Sequence, residues 1–337
     1  MEVPPPGEAA GVGKDSRGRK AAGSGQSQRK SAPGELWAVG AVLGYTASNL
    51  TGRAGVITGN PLAAPLLRDV PSLLMGLFLL VRGRHWPQLD PRSPRFAGRA
   101  LLYFVAAGLA SVLGTFAFYF SLQLGGVNVA IPVLQTQLIW GSLIGVVMLG
   151  ERLSPRGILA MFVAFGGLVL LAVGQSRGVP VSDQWLLGAL LALVPAVGWG
   201  FSGVIWRYGQ SLGVDQSTGI TVQFGVSVIA AFAFLLFSGN LRVYGEITVG
   251  DFSALLASGV FAGMIAVYCM FNAMRLLPAA RVFVMNALTP LLTALFAGVL
   301  LGEYINGVMW VGMGIASFGV VLFQLTGVRR SMGETSR

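Results

Sequence analysis

In a chain whose long segments are almost free of charge, Arg68 and Asp69 lie side by side about a third of the way into an apolar run, APLLRDVPSLL. A charge at such a depth costs roughly 2.5–3.5 kcal/mol on insertion scales, so Arg68 is expected to face a cavity or a partner, not lipid. Two chemistries could offset that cost. One is attraction of an anionic or carboxylate-bearing solute; the other is an internal pairing with Asp69, a glutamate or backbone carbonyls that fixes the segment. Adjacent helical residues point about 100° apart, so the two need not pair with each other. Asp69 is the clear carboxylate within an apolar run, and proton coupling, if transport uses it, would fall to Asp69.

Tyr119 and Gln123, and likewise Tyr268 and Asn272, stand four apart and share a helical face. Either pair could touch a solute, or could join helices by hydrogen bonds of about 0.6–2 kcal/mol. Asn286, Thr289 and Thr293 make a second one-sided stripe, and Gln135 and Gln137 are costly to bury unpaired. Trp199, Tyr45 and Trp140 lie inside apolar runs, where they could stack on a flat or cationic solute or fill a core. The chain has one histidine, His85, and one cysteine, Cys269, which leaves no intramembrane catalytic pair, no intramolecular disulfide and no zinc cluster. No Gly-rich phosphate loop with Lys is present, and no cofactor or metal is expected.

The elements that would carry these residues follow from composition. Of 337 residues 54% are hydrophobic and 11% charged, against about 25% charged in soluble domains. The polar surface cannot coat a globule of this size, so a lipid bilayer must cover much of it. Ten runs long enough for an apolar helix are expected near 36–57, 61–81, 99–122, 127–149, 156–174, 184–206, 217–238, 252–274, 281–301 and 306–327. Residues 1–34, rich in Pro, Gly, Ser and basic residues, read as a disordered basic tail, and 329–337 as a short second tail. Basic residues resist translocation, and the net charge of +10 is therefore a topology signal, not a nucleic-acid one. With both termini cytoplasmic, the inner side takes the tail residues together with Arg82, Arg84, Arg92, Arg95, Arg99, Arg152, Arg156, Arg207, Arg275, Arg281, Arg329, Arg330 and Arg337. The outer loops keep Arg53, Arg177 and Arg242.

The chain also repeats. Gly114, Tyr119, Gln123 and Ala130 recur, at one constant offset, as Gly263, Tyr268, Asn272 and Ala279, and MLGERLS at 148–154 answers LLGEYIN at 300–306. Five helices per half is odd, so the second half must enter the membrane inverted. The fold class is thus an all-α membrane protein of ten transmembrane helices in two inverted five-helix repeats, 35–175 and 180–328.

Four features together resemble the EamA family of the drug/metabolite transporter superfamily: the LGE at Glu151 and Glu303, the aromatic-Gly elements LGYTASN (43–49) and GWGFSGVIW (198–206), Arg68 in the second helix, and ALTPLLTALFAGVLLGE (287–303) with Pro290. The first half departs from that pattern, with Leu138 where a Pro is expected and Pro132 upstream, which shifts a kink in the fourth helix. The resemblance implies alternating-access transport of a small organic solute, often export of metabolites or drugs, through a cavity between halves. On it, Arg68, Tyr119, Gln123, Gln137, Trp199, Tyr268, Asn272 and Asn286 are the candidate substrate contacts. A nucleotide-sugar or sugar-phosphate exchanger is the alternative within the class; an intramembrane enzyme or a scaffold is the alternative outside it. Glu151 and Glu303 read first as helix-end residues. The spacings Gly40/Gly44 and Gly141/Gly145 allow close helix contact, within one chain or in a homodimer.

Overall fold

A computed structural model describes residues 23–149, 152–177, 183–276, 282, 285–286, 288–326 and 328–329. Their helices are α1 (Gly23–Ile57), α2 (Ala64–Gly83), α3 (Ala100–Gly125), α4 (Val127–Leu134), α5 (Gln137–Leu149), α6 (Pro155–Arg177), α7 (Trp185–Ser211), α8 (Gln216–Phe237), α9 (Val243–Glu246), α10 (Val249–Gly259), α11 (Val267–Leu276), α12 (Thr289–Leu300) and α13 (Gly307–Thr326). A two-residue antiparallel pairing of Arg152–Leu153 with Val328–Arg329 is the sole sheet among the described residues. Six stretches are long and apolar enough to cross a membrane: Pro61–Gly83, Ala100–Gly125, Val127–Met148, Trp185–Trp206, Gln216–Phe237 and Val249–Met270. Pro155–Leu171, Thr289–Leu300 and Gly307–Phe323 are shorter apolar helices.

Local signals explain where the helices stop and start. The Asn60 side chain accepts from the Leu62 N–H at 3.0 Å and caps a short 3-10 turn, Pro61–Ala63, and Pro61 and Pro65 open that turn and α2 where no donor is needed. α3 ends at Gly126, whose φ of 69° sends the chain straight into α4. α4 breaks at Gln135–Thr136, just past Pro132, and the Thr136 hydroxyl closes the break by donating to the Val133 carbonyl at 2.7 Å. Between α10 and α11 the chain widens into a π-helical segment, Val260–Ala266.

Three expectations change. α1 begins at Gly23, so residues 23–34 of the expected tail are helical, with Pro33 inside the helix. The fourth run is not one kinked helix but two, α4 and α5. Arg53, expected in an outer loop, is buried within α1 because it has a carboxylate partner, described below.

Packing follows a regular exchange. α1 lies on α10, the π segment, α11 and α12; α7 lies on α3, α4 and α5. α2 packs on α8 and α10, while α8 packs on α2 and α3. α6 packs on α13, and α4 on α12. Swapping the helices of one half for those of the other reproduces each of these contacts. α6 and α13 approach closely enough that a Cβ on Gly167 would collide with the Ala316 backbone nitrogen. Gly44 likewise meets Ala266, so the Gly40/Gly44 spacing is used within the chain. The outward faces remain apolar, with Phe162 71% and Phe237 87% exposed, as lipid contact requires.

Candidate functional site

Arg68 lies one turn into α2, and the helix faces around it converge on its guanidinium. Its Nη1 donates to the Thr115 hydroxyl of α3 at 3.1 Å, and Thr115 in turn donates to the Ser111 carbonyl. The guanidinium carbon lies 4.5 Å from the Trp199 ring centroid of α7 and 5.7 Å from that of Phe118. Such stacking replaces part of the lost hydration at about 0.5–2 kcal/mol. Gly114 makes room for it: a Cβ there would sit 3.0 Å from the Trp199 indole nitrogen.

Asp69 faces a different neighbour. It is fully buried and its Oδ2 accepts from the Ser227 hydroxyl of α8 at 2.5 Å. Its Oδ1 is 3.8 Å from Arg68 Nη1, a distance too long for a hydrogen bond. Both that oxygen and Arg68 Nε are buried without a hydrogen-bond partner. A donor on a cation and an acceptor on a carboxylate are thus left unsatisfied in one place, which costs about 1–3 kcal/mol or more for each charged group. The Arg68 side chain keeps 14% of its surface accessible. The arrangement can take an anionic or acceptor group against Arg68 and a proton on Asp69.

The other candidates divide into three groups. Tyr119, fully buried, belongs with the first site: its ring lies edge to Phe118 at 5.3 Å, and its hydroxyl pairs with Ser258 Oγ at 2.9 Å. Ser258 and Ser48 donate to each other's carbonyls, both at 2.9 Å, which makes a hydroxyl seam joining α1, α3 and α10. Gln123, one turn on, donates to the Gly59 carbonyl at 3.3 Å. The second group gathers at the breaks in the chain. Gln135 donates to the Asn286 carbonyl at 3.4 Å and Thr289 to the Asn286 side chain at 3.1 Å. Gln135 and Thr136 line a crevice with Pro132, Pro290 and Ser317. Gln137, half-buried at the start of α5, lies against Gly200 of α7. The third group turns away from both: Tyr268 is 40% exposed with its ring edge-on to Trp37, and Asn272 donates to the Tyr268 carbonyl. The repeat-related tyrosines therefore occupy unlike surroundings. Leu138 and Arg275 have side chains outside the described ones, and Glu151 lies outside the described residues.

Sequence reasoning missed Thr115, Phe118 and Ser227, ordinary residues in apolar helices with no pattern of their own. It also missed the pairing of Arg53 with Glu303. Arg53 Nε donates to Glu303 Oε1 at 2.9 Å, with side chains 8% and 6% accessible. A basic residue four positions before the end of α1 was the available signal.

The profile of the EamA-like transporter family matches residues 32–173 and 186–325, two consecutive copies. The uncharacterized inner membrane transporter YedA of Escherichia coli K12 is 24% identical over 81% of this chain and 84% of its own. The uncharacterized protein PA1977 of Pseudomonas aeruginosa is 27% identical over 69% of this chain and 72% of its own. A solved crystal structure shares the fold at a TM-score of 0.59 and 19% identity, over 86% of this chain and 95% of its own.

Proposed function

The chain belongs to the EamA-like transporter family, of drug/metabolite transporter type and integral in the membrane, and from that premise we propose that it exports a small organic solute bearing an anionic group by alternating access. The solute's anionic group sits on Arg68, its flat or apolar part against Trp199 and Phe118, and Asp69 carries the coupled proton. The observation that carries this reading is the Arg68 guanidinium itself, stacked on Trp199 with Nε unmatched and the adjacent carboxylate at 3.8 Å. A cation with one hydroxyl bond, two ring faces and a carboxylate no nearer than 3.8 Å keeps an unmatched donor, Nε, for an acceptor.

The architecture proposed for this cycle is ten spans in two inverted halves with both termini cytoplasmic. The exchange of packing partners between the halves supports it, as does the grouping of exposed Arg82, Arg84, Arg92, Arg95 and Arg99 at one end of α2 and α3. The interruptions in α4–α5 and ahead of α12 are of the kind that transporters place near a binding site. A sugar-phosphate exchanger would gather several basic groups on its ligand, whereas Arg53, the buried arginine among the described residues, is committed to Glu303.

The test is uptake and counterflow in liposomes with purified protein and a panel of organic anions, zwitterions and cations. Wild type is expected to move a subset containing carboxylates, Arg68→Ala to lose on the order of tenfold or more of that rate, and Arg68→Lys to retain part of it. Undiminished transport by Arg68→Ala, or no transport by wild type under any gradient, would sink the proposal.

A further inference from the structure

Arg53 and Glu303 tie together three places that no single helix joins. Arg53 Nε holds Glu303 Oε1 at 2.9 Å, while its Nη1 donates to the carbonyls of Leu122 at 2.7 Å and Gln123 at 3.0 Å, in the last turn of α3. Glu303 lies in the corner between α12 and α13, and its Oε1 accepts from the Val127 N–H at the start of α4, at 3.4 Å. The cation meets the negative end of α3 and the anion the positive end of α4, so each charge is matched by a helix end as well as by its partner. Gly126 permits this contact, since a Cβ there would lie 2.7 Å from Glu303 Oε1. The other carboxylate oxygen, Oε2, is buried and unpartnered.

The pair and Arg68 are both anchored on α3. The two guanidiniums reach α3 at Thr115 and at Leu122, about 10 Å apart at 1.5 Å per residue. The ion pair is therefore nearer the C-terminal end of α3 than Arg68 is. The two residue types belong to the repeat: with Gly44, Tyr45 and Ser48 set against Gly198, Trp199 and Ser202, Arg53 falls on Arg207, and Glu303 answers Glu151.

We propose that Arg53 and Glu303 are positioning residues of the transport cycle: together they hold α1, the α3–α4 corner and the α12–α13 corner shut at this end, and they part when it opens. The proposal rests on the alternating-access reading above. Asn49 reports on it. It lies one turn from Arg53 on the same face of α1, is buried, and its side-chain nitrogen is 3.5 Å from the Thr293 hydroxyl of α12. Cys269, buried where α11 packs on Gly40 of α1, is the internal control.

In the full chain reconstituted in liposomes, an Asn49→Cys protein is treated with a membrane-impermeant maleimide, and the introduced thiol and Cys269 are both followed by peptide mass spectrometry. Adding Glu303→Gln is expected to raise the labelling rate of the introduced thiol on the order of tenfold and to leave Cys269 slow. Should Glu303→Gln fail to accumulate folded, Arg53→Lys, which keeps the charge and loses the fork, is read in the same way. Unchanged labelling of the introduced thiol, or equal acceleration there and at Cys269, overturns the proposal. No solute is needed for this readout, so a failed transport screen and a failed positioning role are told apart.

Discussion

Arg68 is held in a largely apolar setting by two aromatic faces and one hydroxyl, so its affinity for a solute should depend on the ring as well as on the charge. Trp199→Phe is expected to weaken half-saturation of transport only several-fold and Trp199→Leu by roughly tenfold, within the range of a partly desolvated cation–π contact. Concentration dependence of uptake measures this, and equal values for both variants would argue against stacking. Asp69, with one oxygen on Ser227 and the other 3.8 Å from Arg68 without a hydrogen bond, makes a separate prediction. Asp69→Asn should flatten the pH profile of transport while binding persists; a full profile in the mutant would remove Asp69 from coupling. Reversal of the ion pair, Arg53→Glu with Glu303→Arg, should not restore stability, because the new carboxylate would face the Leu122 and Gln123 carbonyls and the new guanidinium the Val127 N–H. A reversed protein with wild-type thermal stability in detergent would show that the helix ends contribute nothing. Arg68 was legible in the sequence because an isolated charge in an apolar run is conspicuous. Thr115, Phe118 and Ser227 were not, since nothing distinguishes them from other packed residues until the helices meet.

At the scale of the elements, two glycines set geometry that other residues cannot reproduce. Gly126→Ala must adopt a φ of 69° and drive a methyl into Glu303, so a loss of about 1–3 kcal/mol is expected in thermal unfolding. Gly167→Leu should separate α6 from α13 with a comparable loss, through overpacking alone and with normal φ. Helix existence was readable from hydropathy nearly throughout, because apolar runs bounded by Gly, Pro and charge have few alternatives in lipid. The break at Gln135–Thr136 and the π segment at Val260–Ala266 were not. Pro132 announced an irregularity in α4 but not its position, and no residue in VFAGMIA announces a widened turn.

For the whole molecule, the proposed orientation has a direct consequence. In intact cells an impermeant maleimide should label a cysteine replacing Gly239, between α8 and α9, and spare one replacing Arg92, between α2 and α3. The opposite pattern would invert the topology. The sequence by itself determined the class of molecule: charge-poor runs require lipid, the repeated landmarks require two related halves, and Arg68 must be sheltered. What only the tertiary structure decided is which side chains meet. Arg53 and Glu303 are 250 residues apart, and Tyr119 is buried whereas its repeat mate Tyr268 is 40% exposed beside Trp37. Helical periodicity assigns residues to a common face, but lipid and a packed helix interior are about equally apolar, so hydropathy cannot say which of the two a face will meet. That choice is made by the rotation of each helix against its neighbours, through close contacts such as Gly114 under Trp199 and Gly126 under Glu303.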